Sequence, residues 1–391
     1  MHVLDHEPAF EFIDSAEGLS GFFAGFPANG WVAVDTEFYR RDTYFPTLCL
    51  VQVYDGRKLG LIDTLAVGRA EPLQAMFADT EIVKVFHAPE QDCEALSRTY
   101  GAIPVSIFDT QLAASMLGQP LTSGYGQLVE TFLGVKLGKA HTRTDWRQRP
   151  LGDSQLRYAA EDVLYLGELY SLFKTKLEQA EKLRWFEAES AERGCGVAEL
   201  TPEDLAAKIN VGPVKHVNPE SLQVLAVWRE SLAQRLDVPR RWVIDDETLA
   251  RWSTKLPDKQ KLVHMLTGVP EELARDAAND LIERMAAVPG RSVELGRPAS
   301  AEGEGRLLFD LVRNVVNIRS QAVEINPTLL ATRAELEKLI EGRPESPLLR
   351  GWRYEVIGRE LEELLAGNRA IKYNAATRKL ESVLLREPGG D

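Results

Sequence analysis

The sequence lacks any apolar run near the ~20 residues that a membrane-spanning helix needs, so a helical membrane role is not expected. Its opening stretch, Met1–Pro8, carries Asp5 and Glu7 and lacks the basic-then-apolar order of a secretory signal. Cysteine is scarce: Cys49, Cys93 and Cys195 are too few and too scattered for a disulfide framework or a zinc site. Positive charge is short as well, with 46 Lys+Arg against 59 Asp+Glu and a formal net charge of −13. That shortage argues at first against a nucleic-acid partner, because phosphates need basic surface. What is present is ordinary globular material, 44% hydrophobic and 27% charged, which excludes wholesale disorder. The 391 residues suit a soluble, cytoplasmic chain of two or three domains.

Where the charge lies matters more than its sum. Residues 1–210 hold 19 Lys+Arg and 31 Asp+Glu, whereas residues 211–391 hold 27 and 28. The acid excess therefore sits in the first half, where clustered carboxylates can serve as metal ligands. Within that half, Lys136, Lys139, Arg143, Arg147, Arg149 and Arg157 face only Asp145 and Asp153 over residues 131–160, a local anion-binding stretch.

Strand-like and helix-like segments alternate in the first half. Trp31–Phe38 is apolar and β-branched with carboxylates near its end; Leu48–Tyr54 and Leu59–Ile62 flank a turn at Asp55-Gly56-Arg57. Strands are also expected at Ile82–Phe86 and Val105–Phe108, with helices from Pro89 to Tyr100 and from Thr110. Leu156, Ala160, Val163, Gly167 and Tyr170 recur at helical spacing, which predicts one long helix from Ser154 to about Lys176. Hairpins followed by β-α units imply a mixed sheet flanked by helices, an α/β fold. From Pro219 onward the periodicity is helical, cut by loop-like stretches at Asn210–Asn218 and Gly290–Gly305 into two all-α modules. A shift of 87 residues aligns Leu236 with Val323, Val243 with Leu330 and Leu249 with Leu336, as an internal duplication would. Trp228, Trp242 and Trp252 stand at helical spacing and are read as core.

Three groups could carry chemistry. Asp35 and Glu37 lie two apart on a strand, so both project from one face, where an apolar surrounding disfavours them unless a cation binds. His87-Ala88-Pro89-Glu90-Gln91-Asp92 follows a strand whose end should lie beside theirs; Glu90 and Asp92 compete for a role there. Tyr158 and Asp162 are one helical turn apart, with the thin Ala159-Ala160 between them. Taken singly, each group reads as an emerging strand, a helix-dipole acid or a surface pair. Together they offer four carboxylates and a phenol, an all-oxygen set that selects Mg²⁺ or Mn²⁺ over Zn²⁺. Two such ions, about 3.5–4 Å apart, are the apparatus of in-line phosphodiester displacement.

The stretches V-D-T-E-F at Val34–Phe38, H-A-x-x-x-D at His87–Asp92 and Y-A-A-x-D-V at Tyr158–Val163 resemble the three motifs of the DEDD exonuclease superfamily, in its DEDDy branch. Thr144-Asp145-Trp146 with Arg149-Pro150-Leu151 resembles the intervening stretch of that branch, and the two helical modules are similar to HRDC domains, the first more clearly. One exonuclease domain and two such modules is the arrangement of the bacterial ribonuclease D family. The resemblance implies a ribonuclease H-like fold with an exonuclease domain at 1–209, a first HRDC domain at 210–290 and an HRDC-like one at 301–385. It implies Asp35, Glu37, Asp92 and Asp162 as ligands of two divalent cations, and Tyr158 as the group orienting the attacking water. Arg143, Arg147 and Arg149 are expected to contact phosphates. The implied reaction is stepwise 3′→5′ hydrolysis of RNA to nucleoside 5′-monophosphates, in 3′ maturation of tRNA precursors and other stable RNAs, by a monomer without an obligate protein partner. A DNA-directed exonuclease would use the same ligands; a non-catalytic scaffold fits less well, since all five active-site residues are present. The family pattern is broken by Pro89 and Glu90 in the second motif, which leaves Glu90 as a further acid near the cations.

Overall fold

A six-stranded sheet carries the first half of the chain: β1 Glu11–Ile13, β2 Trp31–Tyr39, β3 Thr47–Tyr54, β4 Leu59–Asp63, β5 Val83–Phe86 and β6 Ile107–Asp109. The computed structural model describes residues 9–27, 30–101, 103–138, 144–195, 200–214, 216–266, 268–289, 293–294 and 303–385. The spatial order is β1-β4-β3-β2-β5-β6. β3 and β4 form the expected antiparallel hairpin, whose turn is tied by Asp55 Oδ1 accepting from the N–H groups of Arg57 and Lys58, each at 2.9 Å. β5 runs parallel to both β2 and β6, and β1 parallel to β4. The sheet is therefore mixed, and β2 lies at its centre. Val32, Ala33 and Val34 on β2 are fully buried, which is what a short apolar run in a two-sided sheet achieves. β1, three residues long, is too short to show alternation, so periodicity does not predict it.

The long helix predicted from Ser154 is two helices, Asp153–Leu164 and Leu166–Gln179, joined at Tyr165. The second packs onto Trp31 through Gly167, where an added Cβ would stand 2.1 Å from the indole ring. The helix Leu183–Arg193 follows, and Cys195 beyond it forms a disulfide with Cys93, their Cα atoms 5.4 Å apart. Three scattered cysteines do not make a framework, and their spacing gives no sign of this single pair.

The chain divides into two compact units, residues 1–37 with 48–196 and 298–391, and residues 38–47 with 197–297. In the first unit the C-terminal module packs directly on the nuclease sheet's helices. Buried Glu189 accepts from Arg353 Nη1 at 2.6 Å and Nη2 at 2.8 Å, and from Trp352 Nε1 at 2.9 Å. Lys182 Nζ donates to the Met116 and Glu324 carbonyls at 3.0 and 2.9 Å. This module is not purely helical: it closes with a hairpin of Arg369–Asn374 and Lys379–Leu384, whose polar alternation carries too little apolar signal to be read as strand.

The second unit builds helices Pro202–Ala207, Pro219–Leu236, Arg240–Val243, Asp246–Trp252, Lys259–Met265 and Glu271–Ala286 around Leu225, Trp228, Leu249 and Leu281. The excursion 38–47 is part of it. Tyr44 belongs to that apolar cluster, its hydroxyl bonded to Glu230, and Asp237 Oδ1 accepts the N–H groups of Tyr44 and Phe45 at 3.0 Å. The 87-residue register reappears in the helices. Arg240–Val243 corresponds to Pro327–Leu330, and the capping residues Asp245 and Thr332, each accepting a first-turn N–H, are equivalent. Trp228 and Trp252 are core, but Trp242 is 59% exposed, against the core expectation. Most of the expected linker Gly290–Gly305 lies outside the described residues. Among the described residues, no helix is long and apolar enough to cross a membrane.

Replacing Gly167 with Ala forces a methyl group into the Trp31 ring, so Gly167→Ala should destabilise the protein by about 1–3 kcal/mol. Denaturant melts of wild type, Gly167→Ala and the relieving double variant Gly167→Ala/Trp31→Ala check it. A double variant no more stable than the single one would show that the close approach is not the cause.

Candidate active site

Asp35 and Glu37 occupy alternate positions near the end of β2 and so share a face. The helix Asp153–Leu164 brings Asp162 to them; Ala159 and Ala160, fully buried, allow its close approach. One carboxylate oxygen from each of Asp35, Glu37 and Asp162 lies within 4.8 Å of the others. Asp162 also accepts a hydrogen bond from the Tyr158 hydroxyl one turn earlier. Tyr158 packs near the buried Trp146, ring centroids 6.2 Å apart.

Asp92 reaches the site from the neighbouring strand. Ala33 pairs with Val85, so β5, which ends at Phe86, stops one residue short of the level of Asp35, at the carboxyl edge where α/β sheets place their sites. The chain then turns through Ala88, whose φ of +54° is unfavourable for an L-residue. Asp109 Oδ1 secures that turn by accepting the Ala88 N–H at 3.0 Å. The helix Glu90–Tyr100 begins there and buries Asp92, whose Oδ1 accepts the Thr36 hydroxyl. Asp92 is outside the 4.8 Å cluster, and its charge nonetheless bears on Asp35. Glu90 is exposed, which separates the two acids that sequence chemistry leaves level. His87 bonds Thr110 Oγ1 at 3.0 Å, and burial lowers its pKa to about 4, so it stays neutral.

The carboxylates sit in mutual conflict. Burial, then the charges of Asp92, Asp162 and Glu37, hold Asp35 well above the ordinary carboxylate range. Burial, then Asp162 and Asp92, push Glu37 to about 9. Burial raises Asp92 and Asp162 each to about 7. Tyr158 is raised too, by burial and then by Asp162, so its hydroxyl keeps its proton at neutral pH. Buried anions stacked in this way call for a cation, and hard oxygen donors fit a divalent one such as Mg²⁺ or Mn²⁺.

Known proteins resemble this chain over most of its length. The 3′-5′ exonuclease family profile matches residues 10–178, an interval containing every site residue above, and the HRDC domain profile matches residues 219–284. Ribonuclease D of Sphingobium indicum is 34% identical over 373 residues, covering 92% of this chain and 95% of its own. The chain belongs to the ribonuclease D family. The crystal structure of Escherichia coli RNase D, described as an exoribonuclease involved in structured RNA processing, superposes with a TM-score of 0.77 at 28% identity, covering 92% of this chain and 99% of that one. The catalytic core of RRP6 from Trypanosoma brucei gives 0.55 at 25% identity, covering 74% and 82%. As a ribonuclease D family member the chain is a nuclease, a hydrolase.

In this ribonuclease D family member, Arg149 of the basic stretch is engaged within the protein. Arg149 directs Nε and Nη2 at the two oxygens of Asp63, 2.6 and 2.7 Å away, and Nη1 at the Trp146 carbonyl at 2.6 Å. That bidentate fork anchors the loop bearing Trp146, which backs Tyr158, so Arg149 meets a protein carboxylate where a phosphate was expected. Arg147 pairs with Asp145 at 3.0 Å on the surface. Arg143 lies outside the described residues.

Sequence reasoning misses Tyr125. Its buried hydroxyl donates to the Glu161 carbonyl at 3.0 Å and accepts the Tyr165 N–H at 3.1 Å. Those two groups would bond each other in a continuous helix, so an inserted phenol breaks the ladder at Tyr165, three residues after Asp162. Periodicity could not reveal this, because the intruding side chain comes from 36 residues upstream.

Two outcomes are expected. The folded carboxylates titrate at about 7 to 9, above the unfolded value of about 4, so the native state binds more protons across that window. In chelator, the melting temperature should therefore fall as pH climbs from about 4 towards 9, and stabilisation by added Mg²⁺ should grow with pH. A Mg²⁺ effect independent of pH would contradict the account. Tyr125→Phe removes the bridging hydroxyl and lets the helix rejoin, moving Asp162; nuclease turnover should drop about 10–100-fold with little loss of melting temperature. Full activity in that variant would show that the break does not position Asp162.

Proposed function

We propose that this chain is a 3′→5′ exoribonuclease that shortens RNA one nucleotide at a time to nucleoside 5′-monophosphates, in the 3′ maturation of tRNA precursors and other stable RNAs. The observation that carries the reading is the convergence of Asp35, Glu37 and Asp162 within 4.8 Å, with the Tyr158 hydroxyl on Asp162. Asp35, Glu37 and Asp162 would hold one divalent cation, and Asp35 would share a second that Asp92 supports. Bound there, the cations supply water activation and charge neutralisation at the leaving oxygen.

The protein's own groups do the rest. Tyr158 holds its proton and donates it in a hydrogen bond to Asp162, so it would orient the water by accepting from it and does not serve as a base. Thr36 fixes the Asp92 carboxylate, and Arg149 with Trp146 holds the loop behind Tyr158. Arg147, on the surface of that loop and paired with Asp145, would face the phosphates of a bound strand. On this reading the enzyme works as a monomer in the cytoplasm, and the relative described as processing structured RNA supports a tRNA-type substrate.

A 5′-labelled tRNA precursor with a 3′ tail and a matched DNA strand, each incubated with the protein and Mg²⁺, test it. The RNA should shorten stepwise and chelator should stop it; Asp35→Asn and Asp162→Asn should abolish the ladder, and Tyr158→Phe should lose about 100-fold while retaining RNA binding. DNA degraded as fast as RNA would replace the substrate assignment, and an unchanged single-turnover rate in Tyr158→Phe would remove its role.

A further inference from the structure

The Cys93–Cys195 disulfide takes no part in the nuclease chemistry, yet it is fastened beside it. Cys93 follows Asp92 directly, as the fourth residue of the helix Glu90–Tyr100. Cys195 lies just past the end of the helix Leu183–Arg193, so the bond joins positions 102 residues apart. Both are buried, Cys93 at 1% exposure and Cys195 at 6%; the third cysteine, Cys49, is buried outside the disulfide.

The helix Glu90–Tyr100 is held unevenly. Its far end is closed by Gly101, in the left-handed region at φ +65°, whose N–H donates to the Ser97 carbonyl at 2.8 Å. The near end, which carries Asp92, starts from Pro89, and no side chain of the capping residue accepts its first N–H groups. The disulfide meets the helix at this weaker end. Its other half comes from a well-anchored element: Ser190 Oγ donates to the Ile107 carbonyl at 3.1 Å, and Glu189 seats Arg353 of the C-terminal module. Arg193 on the same helix brings its charge near Asp109, which secures the Ala88 turn before Asp92.

We propose that Cys93 and Cys195 are a redox site that, when oxidised, pins the Asp92 end of its helix and tightens the acid cluster's hold on divalent cations. The proposal rests on the exoribonuclease reading for the use made of those cations. Reduced, the pair is two thiols whose Cα atoms, 5.4 Å apart, stand within bonding range. A peroxide transfers one oxygen to Cys195 Sγ, the more exposed sulfur, and its other oxygen leaves as water. Cys93 Sγ then attacks that sulfur, the S–O bond breaks and a second water leaves, so the two thiols have given two electrons to the peroxide. A dithiol reverses the change: one of its sulfurs attacks Cys195 and releases the Cys93 thiol, and its second sulfur releases the Cys195 thiol as the reagent closes its own disulfide. A reducing cytoplasm keeps the pair open, so an oxidant strengthens cation binding when Mg²⁺ is limiting.

The test is a calorimetric Mg²⁺ titration of the full chain at 25 °C, after hydrogen peroxide or after dithiothreitol, each reagent removed beforehand. Maleimide labelling in denaturant counts the thiols: one is expected after peroxide and three after dithiothreitol. The oxidised form should bind Mg²⁺ about tenfold more tightly and melt several degrees higher. Cys195→Ser should give the values of the reduced wild type after either treatment. Three thiols after peroxide overturn the proposal. Equal Mg²⁺ affinity in the two forms overturns it too, even with a raised melting temperature, because the bond would then be a staple for stability alone. A Cys195→Ser variant whose Mg²⁺ affinity still answers to peroxide has the same consequence. RNA hydrolysis at limiting Mg²⁺ should follow the affinities. RNA left intact by both forms would sink the exoribonuclease reading, while the titrations still decide the redox site.

Discussion

Like charges buried side by side repel, and the architecture around β2 is organised to hold four of them in that state. Nothing about Asp35, Glu37, Asp92 and Asp162 would bring them together spontaneously; burial and mutual repulsion both oppose their ionisation. They stay because each is fixed by an element anchored elsewhere. The two on β2 are carried by a strand whose preceding residues are wholly buried, Asp92 by a helix whose entry turn Asp109 secures, and Asp162 by a helix docked through alanines. The conflict would be the source of affinity for a cation bound there, since a site that relieves its own repulsion on binding needs no further inducement.

Most of the acid cluster is legible in the sequence because its spacing is local. Two residues apart on a strand and four apart on a helix are statements about one face, and sequence alone can make them. The parallel pairing of β2 with β5 then supplies the one long-range fact needed, placing Asp92 and leaving Glu90 in solvent. What escapes is set by partners distant in the chain. The Asp63 carboxylate claims Arg149 from 86 residues away, and the phenol of Tyr125 interrupts a helix whose own periodicity is unbroken. Trp242 escapes for the opposite reason: helical spacing marks it as core, and only the packed structure shows its ring exposed.

The duplicated helical modules show how one pattern can be put to two uses. Their helices share a register, including equivalent caps at Asp245 and Thr332, yet they diverge after the third helix. The first continues with two more helices; the second continues as a helical run from Gly351 to Leu365 with a π-helical turn at Tyr354–Gly358, adds a hairpin, and commits Trp352 and Arg353 to Glu189 of the nuclease. Arg353 and its neighbour satisfy a buried carboxylate that would otherwise be a liability.

The excursion 38–47 has a bearing on what counts as a part of this protein. The chain leaves the nuclease one residue after Glu37, seats Tyr44 among the helices of the other unit, and returns at Leu48. A nuclease cut free near residue 211 would therefore carry a stray apolar loop beside Glu37 of the acid cluster and a buried Glu189 stripped of its arginine. The strand that carries Asp35 and Glu37 runs on into the helical unit, so the chain joins the two through 38–47 as well as at 197.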